Sequence, residues 1–347
     1  MTLNTNTDVA VLIGRFQPFH SGHAELLALA LQSAQSVVVV IGSSFHARSP
    51  KNPFTWQERA AMIAGTLAES DRDRVSFIPV RDYYEDNRWA SVVRGAVEKH
   101  IGSNKRVALI GHFKDASSQY LNLFPEWKLI SADKLSDIDA TRIRRILFEA
   151  ESIDVSLNVI AELVPLAVRQ YLKAWCALPH YAPLAEEHAT VESYKATWNL
   201  APYPPIFSTL DAVVKTADHV LLIQRGAYPG KGLWAIPGGF LEPRERLLQG
   251  AIRELVEETK LAVLTSTLVD GLIEVKVFDH PDRSLRGRTI THAHFFDLKT
   301  ETLPTVEGSD DASNAVWLPI VDLAAMEEKF FDDHFHILNH FLQITTD

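Results

Sequence analysis

The segment from residue 9 to residue 32 constrains the fold more than any other part of this chain. An apolar run, Val9 to Ile13, leads into the loop GRFQPFHSGH (residues 14–23), and a stretch that predicts a helix follows. A strand that turns through a loop into a helix directs free backbone N–H groups and a partial positive charge at the loop. Phosphate suits both features, and one arginine and two histidines reinforce them, so this loop predicts a phosphate-binding site.

The first half of the chain continues to alternate strands and helices. Residues 37–41 form a continuous β-branched and apolar run, typical of a strand buried on both faces. Thr55 and Glu58 have the spacing of a capping box and predict a helix to about Leu67. Shorter strands are predicted over residues 75–80, 107–110 and 128–130. This alternation predicts a parallel sheet wound by helices, with ligands at the carboxyl ends of its strands.

Three later segments are candidates for the same site. Trp89 could stack on a planar cationic ring while Asn87 hydrogen-bonds to it, although on the residues alone a core aromatic at a helix start explains Trp89 better. Lys114 follows a predicted strand and could meet a phosphate or lie in a solvated loop. The helix that begins near residue 138 carries Thr141 and Arg144 in its first turns, where a triphosphate tail would bind.

The loop of residues 14–23 resembles the (H/T)xGH signature of the nucleotidyltransferase superfamily, and its longer form is similar to that of nicotinamide mononucleotide (NMN) adenylyltransferases. The segments NRW (residues 87–89) and GHFKDASS (residues 111–118) resemble the same family. The resemblance implies a Rossmann-like domain that transfers AMP from ATP to NMN. It implies catalytic roles for His20, His23, Arg15 and Arg144, and substrate contacts from Gly14, Phe16, Asn87, Trp89, Lys114 and Thr141.

Two points stay open for this half of the chain. Asp139 stands where the family's second motif, ISxTxxR, usually has serine, and a carboxylate beside phosphates is repulsive unless it caps the helix or meets a metal. Adenylylation of another phosphorylated substrate, such as phosphopantetheine, is the alternative activity, since other members of the superfamily perform it. The NRW and GHFKDASS segments favour NMN.

A change of character near residue 185 predicts a domain boundary. Prolines interrupt an acidic, partly helical stretch at positions 179, 183, 202, 204 and 205. Repeated proline disfavours a continuous helix, so we expect a linker here. A chain of 347 residues exceeds the usual size of one core. We therefore predict two domains, residues 1–185 and residues 186–347, the second including the linker.

Regularly spaced carboxylates mark the second half. Glu245 is followed, after seven residues, by the sequence RELVEE (residues 253–258). On a helix Glu254, Glu257 and Glu258 fall within an arc of roughly 100°, with Leu255 on the opposite side. Three clustered carboxylates repel one another unless cations lie between them, which predicts a site for a hard divalent ion, Mg²⁺ or Mn²⁺.

This spacing matches the Nudix box, GX5EX7REUXEEXGU, and the preceding WAIPGG (residues 234–239) resembles the start of that motif in Nudix hydrolases. The resemblance implies an α/β/α sandwich with a mixed sheet that hydrolyses ADP-ribose to AMP and ribose 5-phosphate. It implies metal binding by Glu254 and Glu258 with help from Glu257, and catalytic roles for Glu257 and Glu258. The chain departs from the box at Lys260, where glycine is usual.

Further charged residues lie downstream of the box. Arg283 and Arg288 could hold the phosphates or the terminal ribose of the substrate, or lie in a solvated loop. One of Glu307, Asp310 and Asp311 is expected to supply another catalytic carboxylate, and the sequence does not choose among them. A non-catalytic ADP-ribose or nucleotide sensor is the alternative for this half, but such sensors commonly lose box carboxylates that are present here.

Together the two resemblances match the bifunctional NMN adenylyltransferase/Nudix hydrolase family of bacteria. These resemblances imply the small molecules ATP, NMN and ADP-ribose as partners. A net charge of −10 argues against general nucleic-acid binding. We expect no membrane partner and a cytoplasmic protein, because no apolar run reaches spanning length and residues 1–8 lack a signal pattern. Cys176 is the only cysteine, which excludes an internal disulfide. A homo-oligomer is compatible with the sequence.

Overall fold

The computed structural model describes residues 7–112, 116–132 and 138–345, with only the backbone described at residues 116 and 117. Lys114, predicted to bind substrate, lies outside the described residues. The chain divides into two compact units, Met1–Ala185 and Glu186–Asp347. In the part of the chain that is described, no helix is both long and apolar enough to cross a membrane.

The described residues of the first unit form a five-stranded parallel sheet in the order β3-β2-β1-β4-β5. Its strands are β1 (Val9–Gly14), β2 (Ser36–Ile41), β3 (Val75–Pro79), β4 (Val107–Gly111) and β5 (Lys128–Ser131). Its helices are α1 (Ser21–Ser33), α2 (Trp56–Ala64), α3 (Asp86–Ile101), α4 (Ala140–Glu149), α5 (Ile153–Val159) and α6 (Leu166–Trp175), with 3₁₀ turns at Glu69–Arg74 and Ala116–Leu123. Helix α7 (Tyr181–Ala196) begins in the first unit and ends in the second. The predicted wound parallel sheet is confirmed.

Successive residues of each central strand enter different hydrophobic cores, because side chains alternate across a sheet. Leu12 of β1 packs in one core with Leu27 of α1 and Met62 of α2, whereas its neighbour Val11 packs in the other with Val93 of α3. Both faces of the sheet are therefore covered by helices. The strand order reverses between β1 and β4, so the loop after β1 lies beside the crevice where such sheets bind ligands.

The region around residue 185 differs from the predicted linker. Residues Tyr181–Ala196 form α7, a continuous helix, even though Pro183 lies within it. Proline is tolerated there because it occupies the first turn, where a backbone N–H has no partner inside the helix. The expectation that proline would prevent a continuous helix was wrong at this position. Pro179 precedes the helix, and the prolines at positions 202, 204 and 205 follow its end.

The second unit contains a seven-stranded mixed sheet whose continuous path is β10-β11-β6-β7-β12. The strands are β6 (Ile206–Thr216), β7 (His219–Arg225), β8 (Trp234–Ala235), β9 (Gly238–Phe240), β10 (Leu272–Phe278), β11 (Arg288–Asp297) and β12 (Ala312–Pro319). The helices are α8 (Leu247–Thr259), α9 (Thr265–Asp270) and α10 (His334–Leu342), with a 3₁₀ segment at Ile320–Lys329. Strands β11 and β6 pair in parallel and the other pairs are antiparallel.

The predicted α/β/α sandwich is also confirmed. Leu255 of α8 packs with Val214 on one face of the sheet, and Leu338 of α10 packs with Val213 on the other. Leu248 and Ile252 lie against the same core as Leu255, as the helical spacing predicts. The apolar stripe of α8 thus anchors the helix on the sheet, and its carboxylates lie on the side away from that core.

Helix α8 ends at Lys260, whose backbone is left-handed with φ 45° and ψ 34°. A Cβ atom makes this conformation costly, and glycine adopts it freely. Lys260, where the chain departs from the Nudix box, therefore gives α8 a strained end, while the rest of the helix is regular.

We predict that Lys260→Gly raises the free energy of unfolding of the second unit by about 1 kcal/mol, because the left-handed strain is removed. Denaturant unfolding of the full chain measures this change. Lys260→Ala is the matched control, since alanine also carries a Cβ and should bring no such gain. Equal stabilisation by both variants would contradict the explanation.

Candidate active sites

A buried arginine shapes the phosphate-binding loop. Arg59 of α2 is fully buried, and its Nη1 donates to the carbonyl oxygens of Arg15 and Gly42 at 2.7 Å each. Its Nη2 donates to the carbonyl oxygen of Ser43 at 3.0 Å, and its Nε to that of Thr55 at 3.2 Å. Burial lowers the pKa of Arg59 to about 10, so the guanidinium stays charged at neutral pH. One side chain thus holds the backbone that follows β1 and β2.

His20 and His23 form a stacked pair at the start of α1, with ring centroids 3.6 Å apart. The backbone N–H of His23 donates to Nδ1 of His20 at 3.4 Å, and that of His20 donates to Nδ1 of His23 at 3.3 Å. Because each Nδ1 accepts, each neutral ring carries its proton on Nε2. Burial, reinforced by His20, holds the pKa of His23 well below its usual range. The pair therefore presents Nε2–H donors at a helix N-terminus.

Helix α4 brings the second motif to this loop. Nη1 of Arg144 donates to the carbonyl oxygen of Gln17 at 2.7 Å, and its Nη2 donates to Oγ1 of Thr141 at 3.1 Å. Burial lowers the pKa of Arg144 to about 10, and the positive charge of Arg15 contributes to that shift. The predicted residues Arg15, Thr141 and Arg144 thus lie with the loop, and the exposed Arg15 side chain adds positive charge.

Asp139, the departure from the second motif, caps helix α4. Its Oδ1 accepts the backbone N–H of Thr141 at 2.8 Å. An N-cap needs only a short side-chain acceptor, which aspartate supplies as serine does. A carboxylate is compatible with nearby phosphates when it caps the helix or meets a metal. In the structure Asp139 caps the helix.

The side chain of Phe16 packs in the core, so its predicted contact with substrate stays a prediction for its backbone alone. Its side chain is 1% exposed and packs on Phe19 and His23 with ring centroids 6.0 and 4.9 Å away. Its φ of 52° turns the loop. Gly14 is needed for the same packing, because a Cβ there would come within 2.8 Å of the Phe16 ring. These two residues shape the loop, and neither offers a side chain to a ligand.

Asn87 and Trp89 lie in the first turn of α3. Asn87 is exposed, and the partly buried indole of Trp89 meets Tyr120 and Phe124 edge to face at 5.9 and 5.8 Å. Trp89 thus has core contacts on one side, as the structural explanation predicted. Its partial exposure leaves its stacking role a prediction.

A cluster that the sequence analysis missed lies at the ends of β2 and β3. Asp82 accepts from Oγ of Ser43 at 2.6 Å and pairs with Nε2 of His46 at 3.1 Å. Although burial opposes ionisation, the hydrogen bonds from His46 and Ser43, together with Arg15, hold the pKa of Asp82 at about 2. One indication of this cluster was present in the sequence, which is that all three residues follow the ends of predicted strands.

In the second unit Arg253 ties the Nudix carboxylates together. Its guanidinium donates to Glu245 at 2.8 and 3.0 Å, to Glu254 at 2.9 Å and to Glu257 at 2.9 Å. Hydrogen bonds from Arg253 hold the pKa of Glu245 below its usual range. Glu257 is about half exposed and turns toward Arg253.

Among the described residues, no three Asp, Glu, His or Cys side chains stand close enough to form a metal-binding group.

Glu254 and Glu258 lie against the two glycines that precede the box. The backbone N–H of Gly238 donates to Oε2 of Glu258 at 2.8 Å, and a Cβ on Gly239 would lie 2.3 Å from Oε1 of Glu254. Burial and the negative charge of Glu254 raise the pKa of Glu258 to about 8. Burial likewise raises the pKa of Glu254. Two carboxylates are thus held close together in a poorly hydrated place, where a cation would relieve their repulsion.

Of the three candidates for a further carboxylate, Asp311 is electrostatically coupled to Glu258. The charge of Asp311 contributes to the raised pKa of Glu258 and also acts on Arg225. Asp310 instead lines a surface depression with Glu257 and Lys260. Glu307 contacts the end of α8 through its backbone N–H, which donates to Thr259 at 2.8 Å.

The downstream arginines divide into two groups. Arg283 is buried and donates to both oxygens of Asp333 at 2.8 and 2.9 Å, so its guanidinium is committed within the fold instead of facing a substrate. Arg288 is partly buried and donates to the carbonyl oxygen of Asp279. Arg286, an arginine of the same region that was a candidate for the same role, lies over the ring of Phe240 at 4.8 Å. Arg225, which precedes the box and which the sequence analysis missed, lies over the ring of Phe331 at 4.3 Å.

Two family models match the chain, one on each unit. The cytidylyltransferase-like model matches residues 11–174, and the NUDIX domain model matches residues 208–341. Both matches include the predicted motif of their unit, GRFQPFHSGH in the first and the Nudix box in the second.

Proteins similar to this chain agree with both matches. A solved structure from Francisella tularensis, described as a bifunctional NMN adenylyltransferase/ADP ribose pyrophosphatase complexed with AMP and a manganese ion, has a TM-score of 0.88 and 37% identity. The similarity covers 97% of this chain and 99% of that one. A nicotinamide/nicotinic acid mononucleotide adenylyltransferase from Acinetobacter baylyi is 36% identical over 54% of this chain and 96% of its own length. A nicotinamide-nucleotide adenylyltransferase from Pyrococcus furiosus is 31% identical over 47% of this chain and 81% of its own length.

The similarity to the Francisella protein spans both units and both motifs at more than 30% identity. The two positions that depart from the family motifs, Asp139 and Lys260, lie at helix ends and leave the side chains of both sites in position. The chain belongs to the family of bifunctional NMN adenylyltransferases/ADP-ribose pyrophosphatases.

Proposed function

We propose that the first unit transfers AMP from ATP to NMN, giving NAD and pyrophosphate, and that the second hydrolyses ADP-ribose to AMP and ribose 5-phosphate. For synthesis, the observation that carries the proposal is the stacked pair of His20 and His23 at the start of α1. For hydrolysis, it is the placement of the buried Glu258 and the partly buried Glu254 against Gly238 and Gly239. We expect both reactions to take place in the cytoplasm.

In the synthetic reaction an oxygen of the NMN phosphate attacks the α-phosphorus of ATP, and the bond to pyrophosphate breaks. No side-chain nucleophile is needed, so catalysis consists of positioning and charge stabilisation. The Nε2–H groups of His20 and His23 donate to the triphosphate, and Arg15 and Arg144 offset its negative charge. Asn87 and Trp89 are the residues proposed to position the nicotinamide group, with Thr141 and Lys114 as further substrate contacts.

The carboxylate groups of the second site fit a hard divalent cation, because every side chain offered is an oxygen donor. Glu254 and Glu258, with Glu257 assisting, would hold Mg²⁺ or Mn²⁺. A cation bound there supplies Lewis-acid polarisation of the pyrophosphate and lowers the pKa of an attacking water. Arg253 orients Glu254 and Glu257, and Asp311 is the proposed acceptor of the proton that the water loses. Arg288 remains a proposed contact for the substrate's phosphates or ribose, and Arg283 supports that region through Asp333.

The role of His20 predicts a selective loss of NAD synthesis. His20→Ala should lower the rate with NMN, ATP and Mg²⁺ by roughly 10²–10³-fold, because a donor to the developing charge is removed. His20→Asn is the matched control for the helix cap, since asparagine can still accept from residue 23. Both variants should lose NAD synthesis and keep ADP-ribose hydrolysis, as measured by chromatography of the products.

The same assay tests the substrate of the first unit. A wild-type protein that adenylylates phosphopantetheine but not NMN would overturn the assignment. Full NAD synthesis by His20→Asn, with loss only in His20→Ala, would show that His20 acts as a helix cap and not as a donor to the triphosphate.

The role of Glu258 predicts the opposite selectivity. Glu258→Gln should slow ADP-ribose hydrolysis by at least about 100-fold, because one carboxylate ligand of the cation is lost. Synthesis of NAD by the same sample is the internal control for folding and should be unchanged. Binding of ADP-ribose without turnover by the wild type, under several divalent metals, would instead favour a sensor.

The position of Asp311 predicts which downstream carboxylate assists hydrolysis. Asp311→Asn should lower kcat for ADP-ribose by about 10²-fold or more, as expected for loss of a general base. Asp310→Asn and Glu307→Gln are matched controls and should leave kcat near the wild-type value. A large loss in either control with little effect at position 311 would reassign the role.

A further inference from the structure

Strand β10 (Leu272–Phe278) lies at one edge of the seven-stranded sheet. Its residues 273–277 are all exposed, and among the described residues only β11 pairs with it. Ile273, Val275 and Val277 are 54%, 46% and 44% exposed. Proteins usually shorten, bend or cover such an edge, because its unpaired backbone groups can join another strand. β10 has a register shift between Leu272 and Glu274, but residues 274–278 pair regularly with β11 and leave an exposed edge that can accept a partner strand.

The exposed side chains of β10 are sorted between the two faces of the sheet. From Glu274 onward, where β10 pairs regularly with β11, alternation places Val275 and Val277 on one face and Glu274 and Lys276 on the other. Ile273 lies at a register shift between Leu272 and Glu274 and is exposed beside this regular part. Glu274 lies 3.3 Å from Nε2 of His340, which marks the polar face as the side of α10. A partner strand must therefore be apolar on one face and charged on the other.

A second copy of β10 meets both requirements when it runs antiparallel with Val275 opposite Val275. Glu274 then lies opposite Lys276 of the second copy, and Val277 lies at the end of the paired segment near Ile273 of that copy. The two charged pairs, related by symmetry, join opposite charges, which favours pairing. A shift of two residues in either direction would place Glu274 opposite Glu274 or Lys276 opposite Lys276. A shift of one residue would place charged residues opposite apolar ones.

We propose that two copies of this chain associate through antiparallel pairing of β10, which joins their two sheets into one continuous sheet across a two-fold axis at Val275. The interface is isologous, since each copy contributes the same strand, and it closes after two copies. Pairing hydrogen-bonds the free edge of β10 and covers part of its exposed apolar face. This association is independent of either proposed activity, because no residue of β10 belongs to the sites described above.

The charge pairs allow a direct test by sedimentation velocity of the full-length protein over a range of concentrations. The wild type should sediment as a dimer in equilibrium with monomer. Lys276→Glu and Glu274→Lys should each weaken the dimer by on the order of tenfold or more, because like charges then lie opposite each other. The double variant Glu274→Lys/Lys276→Glu should restore the wild-type dissociation constant, since opposite charges face each other again.

Lys128→Glu is the matched control, because Lys128 is an exposed lysine on β5, the edge strand of the other sheet. It should leave the dissociation constant unchanged. All variants should retain both enzymatic activities, which shows that they are folded. A wild type that stays monomeric at every concentration, or a double variant that fails to restore the dimer, would overturn the proposal.

A covalent test reports the register. Residues directly opposite in an antiparallel pair have Cα atoms about 4.5–5.5 Å apart, within the range of a disulfide. Val275→Cys should therefore form a disulfide-linked dimer on mild oxidation, seen on a non-reducing gel. Ile273→Cys should not, because it lies near Val277 of the second copy; the native Cys176 is buried. Equal cross-linking by both variants would contradict the proposed register.

Discussion

The first site depends on one buried guanidinium. In a wound parallel sheet the carbonyl groups at the carboxyl ends of the strands turn into loops, where many lack a strand partner. Arg59 satisfies three of them, those of Arg15, Gly42 and Ser43, and also binds Thr55 at the start of its own helix. Burying a charge is costly, and four hydrogen bonds to carbonyl oxygens offset that cost. The phosphate loop therefore has a defined shape before any nucleotide arrives, so less ordering is needed on binding.

The second site uses an arginine for the opposite purpose. Arg253 donates hydrogen bonds to the side chains of Glu245, Glu254 and Glu257, so it holds negatively charged groups together. Arg59 instead binds neutral backbone carbonyl groups. Glu258 lies outside this network and takes its hydrogen bond from Gly238. The two units thus prepare complementary electrostatic sites. The histidine and arginine donors of the first suit a polyphosphate, and the carboxylates of the second suit a cation.

Both departures from the family motifs lie at helix ends, where backbone geometry decides whether a residue fits. Asp139 is accommodated because a cap requires an acceptor and not a particular residue. Lys260 is accommodated at the cost of a left-handed backbone, since the position follows the last turn of α8 and its side chain is exposed. In each case the departure lies at the end of the helix, outside the residues proposed to carry the chemistry.

The sequence by itself determined the order of elements, both motifs and the helical face shared by Glu254 and Glu258, because these follow from local spacing. It also predicted the α8 core contacts of Leu255. Only the tertiary structure decided what touches across the chain. It buried Phe16, committed Arg283 to Asp333, brought Asp311 within electrostatic reach of Glu258 and revealed Arg59 as the support of the loop. Proline at position 183 was misjudged for the same reason, since its effect depends on where the helix begins. Local periodicity depends on residues that are neighbours in sequence, whereas burial and ion pairing depend on residues far apart in sequence.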